Sequence, residues 1–165
     1  MLRAMLQALI FDVDGTLADT ERDGHRPAFN AAFAEAGLDW HWDEALYGDL
    51  LAVTGGKERI AHYVNRFHPD WSPPDANAIV ARLHKAKTAY FEELVAAGVV
   101  PLRPGIVRLI REAKAAGLRL AIATTTSKVN VVALIEHMLP PDLKTAFEIL
   151  GTAEEAPIHK PAPDV

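Results

Sequence analysis

The sequence predicts an α/β fold with a parallel-sheet core and an inserted helical cap. Three short apolar segments predict strands: LQALIF (6–11), LRLAIATTT (118–126) and AFEILG (146–151). Each ends abruptly in acidic, hydroxyl or glycine residues, which is typical of a strand buried in a parallel sheet. Helical periodicity separates the second and third segments, and this alternation favours right-handed crossovers between parallel strands.

The connection after the first predicted strand is much longer than a crossover requires. About a hundred residues separate the first two strands, whereas a crossover needs only about 10–12. The helical pattern over 104–116 follows LRPG and ends at Gly117, so it supplies that connection. We therefore assign residues 1–18 and 98–165 to the α/β core and residues 19–97 to the helical cap.

Apolar periodicity predicts three helices in the cap and two in the core. The cap positions are Ala28, Ala31, Ala32 and Ala36, then Ile60, Val64 and Phe67, then Ile79, Leu83, Ala86, Tyr90 and Leu94. The core positions are Ile106, Leu109, Ile110 and Ala113, then Val131, Leu134, Ile135 and Met138. Ser127 is a plausible N-cap of the last helix. We expect Trp40 and Trp42 to lie in the core of the cap.

Composition excludes several functional classes. The net charge of −5 argues against a nucleic-acid partner, because phosphates favour basic surfaces. The chain has no cysteine, which removes disulfides and thiolate chemistry. The apolar run near the N-terminus is too short for a signal peptide or a membrane span. We expect a cytoplasmic monomer with no membrane partner.

Two aspartates follow the first predicted strand. Asp12 and Asp14 are two residues apart, so they point the same way at the carboxyl end of the strand, where ligands of parallel sheets bind. Two close carboxylates repel each other unless a cation neutralises them or one of them keeps a proton. Mg²⁺, which prefers oxygen ligands, would do so and would attract a phosphate.

The stretch DVDGT (12–16) resembles the first motif of the haloacid dehalogenase-like superfamily of phosphohydrolases, which have a Rossmann-like core. The resemblance implies that Asp12 is the nucleophile and Asp14 the general acid and base. It also implies that both bind Mg²⁺, Asp12 by its side chain and Asp14 by its carbonyl, and that Thr16 belongs to the phosphate site.

Two further motifs of the superfamily are matched. The second is a hydroxyl residue after the next strand, where ATTTS offers Thr124 to Ser127; we prefer Thr125, with Thr126 beside it, as the phosphate ligand. N-capping is the competing explanation for these hydroxyls. The third motif is a lysine, and IHKPAPD supplies Lys160. The resemblance implies that its ammonium neutralises the phosphoryl group and holds Asp12.

The fourth motif, an acidic pair that completes the Mg²⁺ site, is not matched. The sequence stops at Val165, a few residues past Lys160. We therefore expect a C-terminally truncated member with an incomplete core. Such a chain would bind Mg²⁺ weakly and turn over slowly or not at all.

The segment TGGKERI (54–60) predicts a tight turn into a helix that presents two cations, Lys57 and Arg59. A solvated helix start is the competing interpretation. With FDVDGTLADTERDGHRPAFN and PLRPGI, the segment resembles the CbbY-type phosphatases of this superfamily. That resemblance implies hydrolysis of xylulose 1,5-bisphosphate, with one phosphate at Asp12 and the other near Lys57 and Arg59.

Glu21 and His25 lie in the linker into the predicted cap. Linker residues of relatives contact substrate, so both are candidate substrate-binding residues, although a plain hinge or helix residue is an equally good explanation. Three other functions stay open. They are a phosphomutase of the β-phosphoglucomutase kind, a phosphoglycolate phosphatase, and a non-catalytic phosphate-binding module.

Overall fold

The sheet is parallel and has three strands. The computed structural model describes residues 6–155, 158, 160 and 162. Strands β1 (Ala8–Phe11), β2 (Arg119–Ala123) and β3 (Ile149–Gly151) lie in the order β1-β2-β3. Phe11 pairs with Ile122 and Ala123 with Gly151, so the three carboxyl ends meet at one edge. The predicted α/β fold with a parallel sheet is confirmed, although β3 is shorter than the predicted segment.

The described α-helices are α1 to α6. Their bounds are α1 (Arg26–Glu35), α2 (Glu44–Leu50), α3 (Gly56–Phe67), α4 (Ala76–Ala96), α5 (Ile106–Ala115) and α6 (Lys128–Met138). Two of them, α5 and α6, lie in the predicted crossovers between the strands, α5 before β2 and α6 between β2 and β3. A π-helix (Glu21–His25) precedes α1, and a 3-10 turn (Pro141–Leu143) follows α6. Within the described residues, no helix combines the length and apolar character that a membrane span requires.

The chain divides into two units, which we call the sheet unit and the helical unit. The sheet unit contains the residues up to Thr20 and those from Val100 onward, and the helical unit is Glu21–Val99. In the sheet unit, α5 packs against β2, and Leu120, Ile122 and Ile110 are buried. The ring of Phe11 meets that of Phe147 edge to face at 5.9 Å.

An aromatic cluster forms the core of the helical unit. The Trp42 side chain is fully buried, and its ring lies 4.7 Å from that of Phe29 and 4.9 Å from that of Phe33. Trp40 is also buried and meets Phe33 edge to face. Both tryptophans therefore lie in the core of this unit, as predicted.

Two local features differ from the predictions. Helix α2 was not predicted; it begins after Asp43, whose carboxylate accepts the N–H of Leu46 at 2.8 Å. Such an N-cap stabilises a short helix by satisfying a free donor of its first turn. Ser127 does occupy the N-cap position of α6, but its side chain makes no capping hydrogen bond.

Candidate active site

Asp12 and Asp14 follow β1 directly and are half-buried. The side chain of Asp12 accepts the N–H of Val13 at 2.8 Å, which fixes its carboxylate against the backbone. Asp14 accepts the hydroxyl of the buried Thr20 at 2.5 Å. This hydrogen bond fixes the orientation of the Asp14 side chain. Sequence reasoning did not identify Thr20, because no pattern marks a single buried threonine.

A tight turn carries the chain away from the two aspartates. Gly15 has φ of 72°, a left-handed conformation that glycine adopts without steric cost. The exposed Thr16 donates its N–H to the carbonyl of Val13 at 3.1 Å. Arg103 donates to the carbonyl of Gly15 at 2.9 Å and to Asp19 at 3.1 Å. The side chain of Arg103, which lies outside the DVDGT motif, therefore stabilises the turn.

Lys160 lies next to Asp12. Its Nζ is 3.1 Å from Oδ1 of Asp12, and the side chains are 38% and 44% exposed. Because both groups are well exposed, the pair contributes little to stability. The contact nevertheless places a cation at the carboxylate that is the predicted nucleophile.

A run of hydroxyl residues follows β2 at the same edge of the sheet. Thr124 is buried; its N–H donates to the carbonyl of Gly151, and its hydroxyl accepts the N–H of Thr126 at 3.2 Å. Thr125 and Thr126 are half-buried. Among the described residues, Oγ of Ser127 and Oδ1 of Asn130 are buried without a hydrogen-bond partner. Unpaired buried polar atoms are costly, so this segment suits a bound polar ligand.

The two aspartates form an incomplete set of metal ligands. No group of three or more acidic or histidine side chains that could hold a metal occurs among the described residues. Mg²⁺ commonly binds through one or two carboxylates, with water and substrate phosphate supplying the other oxygens. Asp12 and Asp14 fit that pattern.

Four predicted site residues lie in the helical unit, and Lys57 and Arg59 differ sharply in exposure. Lys57 is exposed in the first turn of α3. Arg59 is 8% exposed, which corrects the expectation that both cations face outward. Its guanidinium donates to the carbonyls of Leu50 and Val53, both at 3.2 Å, and to the hydroxyl of Tyr47 at 3.0 Å. A substrate role for Arg59 stays a prediction, and these contacts favour a positioning role.

Glu21 and His25 are held by helical-unit residues that sequence reasoning did not identify. The hydroxyl of Tyr47 donates to Oε2 of Glu21 at 2.6 Å, so Tyr47 links Glu21 to Arg59. Nδ1 of the buried His25 lies 2.9 Å from Nζ of the buried Lys87. The only signal for Lys87 is its place between the apolar positions of α4, where a buried lysine is uncommon.

Comparison with known proteins identifies the family. The profile of the haloacid dehalogenase-like hydrolases matches residues 6–165. The chain belongs to this family. It is 53% identical to the plasmid CbbY protein of Cupriavidus necator, over 97% of this chain and 63% of that protein. The chain therefore spans less than two thirds of this relative's length.

Solved structures of a haloacid dehalogenase-like relative agree in fold. The structure of CbbY from Rhodobacter sphaeroides with phosphate has 47% identity and a TM-score of 0.83, covering 97% of this chain and 69% of that one. A mutant of that protein, in complex with xylulose 1,5-bisphosphate, has 46% identity and a TM-score of 0.83 over the same shares. The resemblance to CbbY-type members predicted from the sequence is thus confirmed.

Proposed function

We propose that the protein is a Mg²⁺-dependent phosphatase that hydrolyses a small sugar phosphate through a phosphorylated Asp12. The observation that carries the proposal is the contact between Asp12 and Lys160, 3.1 Å apart, beside the carboxyl end of β1. A carboxylate paired with an ammonium in that position suits attack on a phosphate, because the cation offsets the charge of the phosphoryl group. That the CbbY relative was solved in complex with phosphate supports a phosphate-containing ligand for this chain.

The reaction follows in two displacements. Oδ of Asp12 attacks phosphorus as the bond to the sugar oxygen breaks, and Asp14 protonates the departing alkoxide. Asp14 then takes a proton from water, which attacks the phosphorylated Asp12 and releases inorganic phosphate. Splitting one difficult hydrolysis into two steps is the advantage of a covalent intermediate. Mg²⁺ held by Asp12 and Asp14 would screen the repulsion between carboxylate and phosphate.

Xylulose 1,5-bisphosphate is the substrate we propose. Support comes from the mutant CbbY complex with that sugar, at 46% identity. In this chain the hydroxyls of Thr125 and Thr126 would bind the reacting phosphate. We propose that the exposed Lys57 binds the second phosphate, while Arg59 and Tyr47 hold Glu21 in place.

The test is phosphate release from xylulose 1,5-bisphosphate with and without Mg²⁺. We expect slow release with Mg²⁺, none with EDTA, and none detectable for Asp12→Asn, because no nucleophile remains. Asp70→Asn is the matched control, since Asp70 is an exposed aspartate of the helical unit. Release that persists in Asp12→Asn would refute the nucleophile, and an isomeric sugar phosphate in place of inorganic phosphate would indicate a mutase.

A further inference from the structure

Two consecutive glycines stand at the start of α3, Gly55 as its N-cap and Gly56 as its first residue. Each position favours glycine for a different structural reason. Gly55 has φ of 94°, which side-chain-bearing residues rarely adopt. Gly56 has no such backbone constraint. A Cβ at Gly56 would instead lie 2.7 Å from both Cδ2 and Nε2 of His84, and 3.4 Å from the ring of Phe29. The absence of a side chain at Gly56 therefore allows the close approach of the His84 ring to α3.

His84 is a neutral ring in a cationic neighbourhood. Burial, followed by the nearby charges of Lys87 and Lys57, lowers its pKa to about 4. His25 acts in the same direction and Glu58 opposes it. The backbone carbonyl of His84 accepts the hydroxyl of Thr88 at 3.0 Å within α4. Near pH 7 the ring packs against Gly56 without adding a charge that would repel Lys57.

His84 and Lys57 line one open groove of the helical unit. The groove has a volume of about 460 Å³, and Lys85 and Thr88 contribute to its wall. Because Lys57 directly follows Gly56, the His84 ring packs beside the residue that precedes this exposed lysine. The neutral ring of His84 thus packs against the backbone next to Lys57, which is an exposed cation.

We propose that His84 is a positioning residue that determines specificity for a bisphosphate, because its packing on Gly56 sets the first turn of α3 and so directs Lys57 toward the second phosphate. This inference rests on the proposed function, in which Lys57 binds that phosphate. In this inference Gly56 and His84 affect which sugar phosphate is bound, whereas Asp12 and Asp14 act on the phosphate that is transferred.

The test measures binding by calorimetry in an Asp12→Asn background, where substrate is not consumed. The probes are xylulose 1,5-bisphosphate and xylulose 5-phosphate. Gly56→Ala forces the His84 ring to move, so we expect about tenfold weaker binding of the bisphosphate and less than about twofold change for the monophosphate. Gly48→Ala is the matched control, because nothing lies within 4 Å of a Cβ at that helical glycine.

A double-mutant cycle separates positioning from general damage. His84→Ala should weaken bisphosphate binding as Gly56→Ala does, and the double variant should lose no more than either single variant, because both changes remove one contact. Losses that add, or that affect both sugars equally, would overturn the inference. Circular dichroism shows whether Gly56→Ala folds. If it does not, His84→Ala by itself tests the inference, and equal losses of affinity for the two sugars would refute the positioning role of His84.

Lys57→Ala distinguishes failure of this inference from failure of the proposed function. A selective loss of bisphosphate binding in Lys57→Ala, without one in Gly56→Ala and His84→Ala, would overturn the inference and leave the proposed function intact. Equal losses of both sugars in Lys57→Ala would refute the second-phosphate role of Lys57 and with it the role of His84.

Discussion

His84 is a half-buried imidazole whose pKa is lowered from 6.5 to about 4, first by burial and then by Lys87 and Lys57. Between those two pH values the unfolded chain binds more protons than the folded chain. The free energy of unfolding therefore decreases as the pH falls from 6.5 toward 4. After allowance for solvent screening at a partly exposed group, we expect a loss of about 1–2 kcal/mol.

Urea unfolding at several pH values measures this effect. The His84→Gln variant should lose less stability than the wild type between pH 6.5 and pH 4. His62→Gln, a change at an exposed histidine of α3, is the control and should follow the wild type. Parallel stability curves for wild type and His84→Gln would contradict the assignment of this proton linkage to His84.

Lys87 shows why the buried face of α4 was predicted only in part. Periodicity placed Ile79, Leu83, Ala86, Tyr90 and Leu94 on that face. Leu83 is buried as predicted, but the other buried residues of α4 are Lys87, Phe91 and Val95. A lysine interrupts the apolar pattern, so the pattern favoured the neighbouring register. The structure buries Lys87 because Nζ lies 2.9 Å from His25 and within 5.3 Å of the ring centres of Phe29 and Phe91. Such compensation is visible only in three dimensions.

At the scale of elements, Asn30 of α1 holds the segment that leads into α2. Its amide donates to the carbonyl of Trp42 at 2.9 Å, and its carbonyl accepts the N–H of Trp42 at 2.8 Å. Because Trp42 is fully buried, its backbone groups would otherwise lack partners.

We expect Asn30→Ala to lower the free energy of unfolding by about 2–3 kcal/mol. Asn77→Ala, at an exposed position of α4, should change it by less than about 0.5 kcal/mol. Chemical denaturation measures both, and equal losses would contradict the bridging role.

Helices with several apolar repeats were predictable, whereas the short helix α2 was not. The positions that predicted α5 and α6 include all their buried apolar residues, because each helix buries one apolar stripe. The predicted Leu109 is exposed, however, and Asn130 of α6 is buried without having been predicted. In α1 the predicted alanine stripe is only partly correct, since Phe29 and Phe33 carry much of the packing. Helix α2 has seven residues, too few for a period to appear. The sequence therefore predicts where a helix runs better than which large side chains fill the core.

At the scale of the whole molecule, the parallel direction of the strands made it predictable which residues would meet at the edge of the sheet. Parallel strands end on the same side, so Asp12 and the threonines after β2 were expected together, and the pairing of β1 with β2 and of β2 with β3 gives that arrangement. The supports of the site were not predictable. Thr20 and Arg103 lie inside two stretches that carry the family resemblance, FDVDGTLADTERDGHRPAFN and PLRPGI, but no sequence pattern indicates that their side chains contact the site.

The contact between Lys160 and Asp12 leads to a prediction about metal binding. Lys160 occupies Oδ1 of the carboxylate that is proposed to bind Mg²⁺, so its ammonium and the metal compete for one charge. We expect Mg²⁺ to raise the unfolding temperature of the wild type, because a ligand that binds only the folded state stabilises it. Lys160→Met should increase that rise, and Asp12→Asn should abolish it.

A second lysine provides the control for this competition. Lys144 pairs with Glu136 at 3.0 Å in the sheet unit, away from the aspartates in sequence, so Lys144→Met should respond to Mg²⁺ as the wild type does. Thermal unfolding followed by circular dichroism across a Mg²⁺ titration gives the comparison. A smaller Mg²⁺ response in Lys160→Met than in Lys144→Met would mean that Lys160 supports metal binding, for example by orienting Asp12, and that charge competition is the weaker effect.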